Sequence, residues 1–160
     1  MRMTTTIRPC LWFDNNLEEA AEFYTSVFPN SSVGEMTRYT DAGPGKSGDV
    51  AYGTFILDGN EFLGMNGGPH FTFNEAVSFE VRCADQAEVD YYWSNLVDGG
   101  EESQCGWLKD RYGLSWQIEP DRLYELLNDP DPARAAAATA AMMEMRKIVI
   151  ADLESAVAKV

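Results

Sequence analysis

One local pattern occurs twice in this chain, and that doubling constrains the fold more than any single residue. A strand-like run at 7–13 leads through Asn16-Leu17-Glu18-Glu19 into a helical stretch reaching Phe28. A second run at 77–83 leads through Asp85-Gln86-Ala87-Glu88 into a stretch reaching Val97. The helical positions register at one offset of 69, pairing Asn16 with Asp85, Glu19 with Glu88, Tyr24 with Trp93, Val27 with Leu96 and Phe28 with Val97. In each copy Asn or Asp precedes Glu by three residues, the spacing of a capping box that satisfies two orphan backbone donors reciprocally. Similar halves pack about a shared axis, and the seam between them is where a cleft forms.

The rest of each half follows from periodicity. Leu17, Ala20, Ala21, Tyr24, Val27 and Phe28 form a 3.6-residue stripe, so the first helix covers one face of a sheet. Pro29-Asn30-Ser31 stops it, and strands follow at 33–40, 50–58 and 61–66, the last two joined by an Asp58-Gly59 hairpin turn. Residues 41–49, with Gly43-Pro44-Gly45, read as a polar loop, and Gly67-Gly68-Pro69 ends the first half. The second half has room for three short strands near 101–103, 105–109 and 114–119, with a turn at 110–113. Beyond Pro120 the pattern becomes helical, at 121–127, at 133–146 behind Asp131-Pro132, and at 150–157.

The expectation is an α+β fold: two βαβββ modules, at about 7–66 and 76–119, forming a curved, mostly antiparallel sheet cleft, with a C-terminal helical extension at about 120–158. Strand alternation assigns faces. Val77, Phe79 and Val81 oppose Ser78, Glu80 and Arg82; Leu114, Trp116 and Ile118 oppose Ser115, Gln117 and Glu119; Ile7, Leu11 and Phe13 oppose Arg8, Cys10 and Trp12. The helices need the apolar faces, which leaves the mixed faces either to line a ligand pocket or to meet solvent.

A formal net charge of −14 repels phosphate backbones and anionic membranes, so neither nucleic acid nor a membrane is an expected partner, and solubility accounts for the acidity. Cys10, Cys83 and Cys105 are odd in number, scattered and without a CxxC pair, which argues against a disulfide framework or a zinc knuckle. No apolar run approaches the length of a membrane span, and residues 1–6 lack a secretory apolar core, so a cytoplasmic location with reduced thiols is expected.

Several strings are specific. Leu11-Trp12-Phe13, Phe28-Pro29-Asn30-Ser31, Asn66-Gly67-Gly68-Pro69-His70-Phe71, Gly106-Trp107-Leu108-Lys109-Asp110, Ser115-Trp116-Gln117 and Leu127-Asn128-Asp129-Pro130-Asp131-Pro132 resemble the PhnB-like branch of the vicinal oxygen chelate superfamily. The superfamily includes glyoxalase I, extradiol dioxygenases and antibiotic-resistance proteins. The resemblance runs from about Ile7 to Ala158, and Val149 departs from it where an acidic helix cap is expected. It implies the doubled strand–helix–three-strand plan and a homodimer.

Metal-using members hold a divalent ion with His, Gln or Glu on the first, fourth, fifth and eighth strands. Those positions fall here near Arg8, at Gly64 or Met65, at Ser78 and at Gln117, of which only Gln117 is a conceivable ligand. One amide cannot hold such an ion, so no metal is expected. Relatives of this branch have also carried the label of a ubiquinone-pathway methyltransferase. No Gly-rich turn joins a strand to a helix here, so S-adenosylmethionine is not expected and no cofactor is assigned.

The candidate ligand contacts are Trp12, Asn66, His70, Ser78, Glu80, Trp107 and Gln117. His70, the sole histidine, is either a general base or a residue ordering the turn between modules. Asn66 either points its amide into the cleft or caps the Gly67-Gly68 turn. Trp12 and Trp107 are either aromatic walls or core. Glu80 and Arg82 select a charged ligand or pair with each other. Cys105 reads as a small buried side chain rather than a nucleophile, and Met142, Met143 and Met145 as core or dimer packing. The leading expectation is a metal-independent protein holding a small molecule in the cleft between its modules, whether or not it catalyses a reaction. The alternatives are a divalent-metal-dependent lyase or dioxygenase resembling glyoxalase I, and a non-catalytic antibiotic-sequestering protein.

Overall fold

A computed structural model describes residues 6–160. The chain forms two compact units, the first ending at Thr72 and the second beginning at Phe73. The first contains β1 (Cys10–Phe13), α1 (Leu17–Val27), β2 (Ser32–Arg38), β3 (Val50–Leu57) and β4 (Asn60–Asn66). The second repeats the order with β5 (Ser78–Cys83), α2 (Gln86–Val97), β6 (Glu101–Glu102), β7 (Trp107–Lys109) and β8 (Ser115–Pro120), then adds α3 (Asp121–Leu127), α4 (Pro132–Met143) and α5 (Ile150–Val157). The two sheets have equivalent orders, β1-β4-β3-β2 and β5-β8-β7-β6. In each, the first strand lies parallel to the last and the other two pairings are antiparallel.

The repeat is explicit in the cores. Ala20, Tyr24 and Val27 of α1 are buried against the first sheet, and their counterparts Val89, Trp93 and Leu96 of α2 are buried against the second. Tyr24 stacks over Phe55, whose ring lies 5.3 Å from that of Phe62. Trp116, Ile118, Leu108, Val81 and Cys83 form the helix-facing side of the second sheet. At the β3–β4 turn Asp58 (φ 46°) and Gly59 (φ 76°) are both left-handed, as a two-residue hairpin of the expected kind requires.

Strand ends depart from the sequence reading, each for a local reason. β1 begins at Cys10 rather than at residue 7, because Pro9 has no N–H to give to a ladder, and Ile7 is left exposed instead of sharing the core with Leu11 and Phe13. Val77 likewise lies outside β5, whose pairing starts at Ser78. The run at 105–109 is cut to Trp107–Lys109 because Cys105 (φ 57°) and Gly106 (φ 84°) turn left-handed.

Capping is also rearranged. Asp85 caps α2 as expected, accepting from Glu88 N at 2.9 Å, while Glu88 reaches back to Ala84 N at 2.7 Å, one residue beyond the reciprocal partner. The Asn16 side chain makes no cap bond on α1. Asn66 supplies it from β4: its Oδ1 accepts from Leu17 N at 3.0 Å and its Nδ2 donates to Val50 O at 3.0 Å. The helical extension uses the same device. Val149 cannot cap α5, and Gln86 of α2 does so, accepting from Ile150 N at 2.9 Å and donating to Ile148 O at 3.0 Å. Leu123, Leu126, Ala138, Ile148, Leu153 and Val157 give the extension its own apolar centre. Met142 and Met145 pack against that centre, whereas Met143 is exposed.

Candidate functional site

The open face of the second sheet carries a row of polar side chains. Register pairs Ser78 with Ser115, Glu80 with Gln117 and Arg82 with Glu119 across β5 and β8, and Trp107 with Gln117 across β7 and β8. Directly paired residues share a face, so Ser78, Glu80, Arg82, Trp107, Lys109, Ser115, Gln117 and Glu119 point away from α2. Ser78 Oγ donates to Gln117 Oε1 at 2.8 Å. Tyr124, from the first turn of the extension, donates its hydroxyl to Glu80, and its ring lies 4.7 Å from the Arg82 guanidinium. Arg82 in turn pairs with Glu80 at 3.5 Å and, closely, with Asp121. Lys109 pairs with Glu75.

Two polar atoms of this face are buried and have no hydrogen-bond partner among the described residues: Ser115 Oγ and Glu119 Oε2. Glu119 is only 3% exposed. Burial pushes its carboxyl up to about 7; the Gln117 amide partly opposes the rise, and the Glu80 charge adds to it. The Tyr124 hydroxyl is pushed up to about 12, first by burial and then by the charges of Glu119 and Glu80. A carboxyl that titrates near neutrality beside an amide and a phenol is unusual for a purely structural position. Alternation places Glu119 on this face, but nothing in the sequence marks it as buried; the Gly106 left-handed turn that covers it is the missing signal.

Four of the seven expected ligand contacts, Ser78, Glu80, Trp107 and Gln117, thus converge on one face of one unit. Ser78, Trp107 and Gln117 are half-buried and Glu80 is exposed. The other three lie in the first unit. Trp12 donates Nε1 to Gly68 O at 2.8 Å, and its ring meets Phe71 edge-on at 4.9 Å. Asn66 commits both ends of its amide to backbone on the α1 side of its sheet. His70 is exposed on the turn that follows β4. Cys105 is half-buried, with Sγ 3.7 Å from Met143 Sδ.

Neither group suggested by the relatives fits these residues. Among the described residues no cluster of three or more His, Cys, Asp or Glu side chains could hold a metal ion, and the Gln117 oxygen already accepts from Ser78. The two strand-to-helix turns, at 14–16 and 84–85, contain no glycine, and at the second the Asp85 carboxylate occupies the helix N-terminus. No described helix is long and apolar enough to cross a membrane.

A doubled βαβββ plan in which each repeat's first strand runs parallel to its last defines a glyoxalase-fold protein of the vicinal oxygen chelate superfamily. Comparison with known proteins narrows this. Residues 5–119 match the family model described as 3-demethylubiquinone-9 3-methyltransferase. A Bacillus cereus structure, described as a putative 3-demethylubiquinone-9 3-methyltransferase, PhnB protein, is 36% identical (TM-score 0.67), covering 72% of this chain and 99% of its own. The chain belongs to this PhnB-like family. Protein PA1353 of Pseudomonas aeruginosa is 19% identical with TM-score 0.59, over 74% of this chain and 100% of its own. The fosfomycin resistance protein FosX of Listeria monocytogenes is 14% identical with TM-score 0.57, over 79% of this chain and 99% of its own. These two share the fold. No curated protein matches the chain.

Proposed function

We propose that this protein binds a small molecule, without a resident metal, on the open face of its second sheet through Ser78, Glu80, Trp107 and Gln117. One observation carries the reading. Three polar side chains and one indole stand in register on adjacent strands, and Ser78 orients the Gln117 amide at 2.8 Å. A few oriented polar groups beside an aromatic surface is the composition of a small-ligand site: the indole supplies contact area, and the amide, hydroxyl and carboxylate fix orientation. The donor set supports the metal-free part, being one amide oxygen and one carboxylate where several carboxylates or imidazoles are needed. Reduced thiols and a cytoplasmic setting belong to the same reading, and so does a homodimer, which light scattering would detect as a doubled mass.

A metabolite library should raise the melting temperature of the native protein for at least one compound, and Gln117→Ala should abolish that rise. A library that leaves the native melting temperature unmoved overturns the proposal. Stoichiometric nickel, zinc or iron in untagged protein overturns its metal-free part.

A further inference from the structure

Glu119 has no place in the ligand contacts proposed above, yet its surroundings are built around it. Gly106 covers one side: with φ at +84°, it lies so close that a Cβ there would come within 2.8 Å of Glu119 Oε1 and 3.0 Å of Ile118 O. The extension pins that wall, since Gly106 N donates to Arg146 O at 2.8 Å and Cys105 N to Met145 O at 2.8 Å. The Gln117 amide also meets the carboxyl, with Oε1 taken by Ser78 and the amide nitrogen left for Glu119.

The charged and titratable groups around Glu119 come from every neighbouring element. β5 brings Glu80, Arg82 and Cys83, α3 brings Asp121 and Tyr124, the start of α2 brings Asp85 and Glu88 on the far side of Cys83, and the segment after α4 brings Arg146. The two cations are turned elsewhere, Arg82 to Glu80 and Asp121, and Arg146 to Glu102. Gln117 is therefore the group through which the state of Glu119 reaches the open face.

We infer that Glu119 is a positioning residue: its protonation state sets which way the Gln117 amide points, and through Ser78 sets whether the ligand-binding face offers an acceptor or a donor. An ionised carboxylate only accepts, so it takes the amide nitrogen and leaves Oε1 for Ser78, which must then donate. The outward lone pairs of Ser78 are then left to accept from a ligand hydroxyl, amide or ammonium. A neutral carboxyl carries an O–H that donates to the amide oxygen once the amide is reversed. The nitrogen then donates to Ser78, and the freed hydroxyl proton suits a ligand carbonyl or carboxylate. The positions occupied are unchanged; the proton on Glu119 is relayed as an exchange of N for O on Gln117.

The inference rests on the reading that this face binds a ligand, but its test needs none. With isotope-labelled glutamine, the Gln117 side-chain amide signals are identified by their loss in Gln117→Ala and followed by NMR through the neutral pH range. They should shift with a midpoint at about 7 in the native protein and stay flat in Glu119→Gln. A flat response of all three glutamine side-chain amides in the native protein overturns the inference even if neither variant folds, and so does a titration that persists in Glu119→Gln. Either negative result leaves ligand binding to its own thermal-shift test, and a failed ligand screen leaves the amide titration to stand or fall separately.

Discussion

The two sheets share one plan and differ on one face. On the helix side, positions related by the repeat hold similar residues in the same role: Ala20 with Val89, Tyr24 with Trp93, Val27 with Leu96, all buried. On the open side they have parted. The first sheet shows Trp12, Thr54, Ile56, Leu63 and Met65, with Arg8–Glu61 as its ion pair at 2.9 Å. The second shows Ser78, Glu80, Arg82, Gln117 and Glu119 around Trp107. A packed side chain is held to its size by its neighbours, whereas an unpacked face is not, so duplicated modules keep their cores and diverge where a ligand could be met.

The comparison can be broken most forcefully at the matched core. Tyr24→Ala and Trp93→Ala should each cost about 3–5 kcal/mol in denaturant unfolding. Two separate transitions, only one of which moves per variant, would show that the units unfold independently; a shared shift would show one cooperative system. The next effect belongs to the second face alone. The Glu119 carboxyl is raised from 4.5 to about 7, so between those values the folded state holds a proton that the unfolded chain releases. Stability contributed by this group is full below the unfolded value and is lost as pH rises through about 7. That slope amounts to at most about 3 kcal/mol. Glu119→Gln should flatten it and stabilise the protein above neutrality, as urea midpoints across pH would record; a slope unchanged in the variant would place its origin elsewhere.

The two amide caps allow a finer contrast. Asn66→Ala leaves Leu17 N–H and Val50 C=O unpaired in a buried site and should cost about 1–3 kcal/mol. Gln86→Ala acts at a half-buried site and should cost about 1 kcal/mol, with faster hydrogen exchange confined to α5 and the turn before it. The smallest effect is expected at Arg82. Its ion pairs and its contact with Tyr124 are exposed, so Arg82→Ala should change stability by less than about 1 kcal/mol. A larger loss would mean that Arg82 restrains the Glu80–Tyr124 bond.

What could be read from the sequence was what short-range periodicity and turn chemistry determine. The helices at 121–127 and 150–157, the Asp58-Gly59 turn, the buried stripe of α1 and the placing of Ser78, Glu80 and Gln117 on polar strand faces follow from turn chemistry and from spacings of two or 3.6 residues. Long-range capping was out of reach, because a cap from Asn66 to Leu17 or from Gln86 to Ile150 joins residues far apart in the chain and leaves no local mark. Strand ends were missed where one residue overrules alternation: Pro9 by lacking a donor, Cys105 and Gly106 by turning left-handed. Glu119 was legible as a face residue but not as a buried one, since its cover comes from Gly106, which the carbonyls of residues 145 and 146 hold in place.

The Arg146 carbonyl that fixes Gly106 links the last quarter of the chain to an acid–base equilibrium. If the terminal helices lifted away, water would reach the carboxyl, its affinity for hydrogen ions would fall, and near neutrality one would be shed. By reciprocity, acidification grips the terminal helices more tightly, and alkali loosens them.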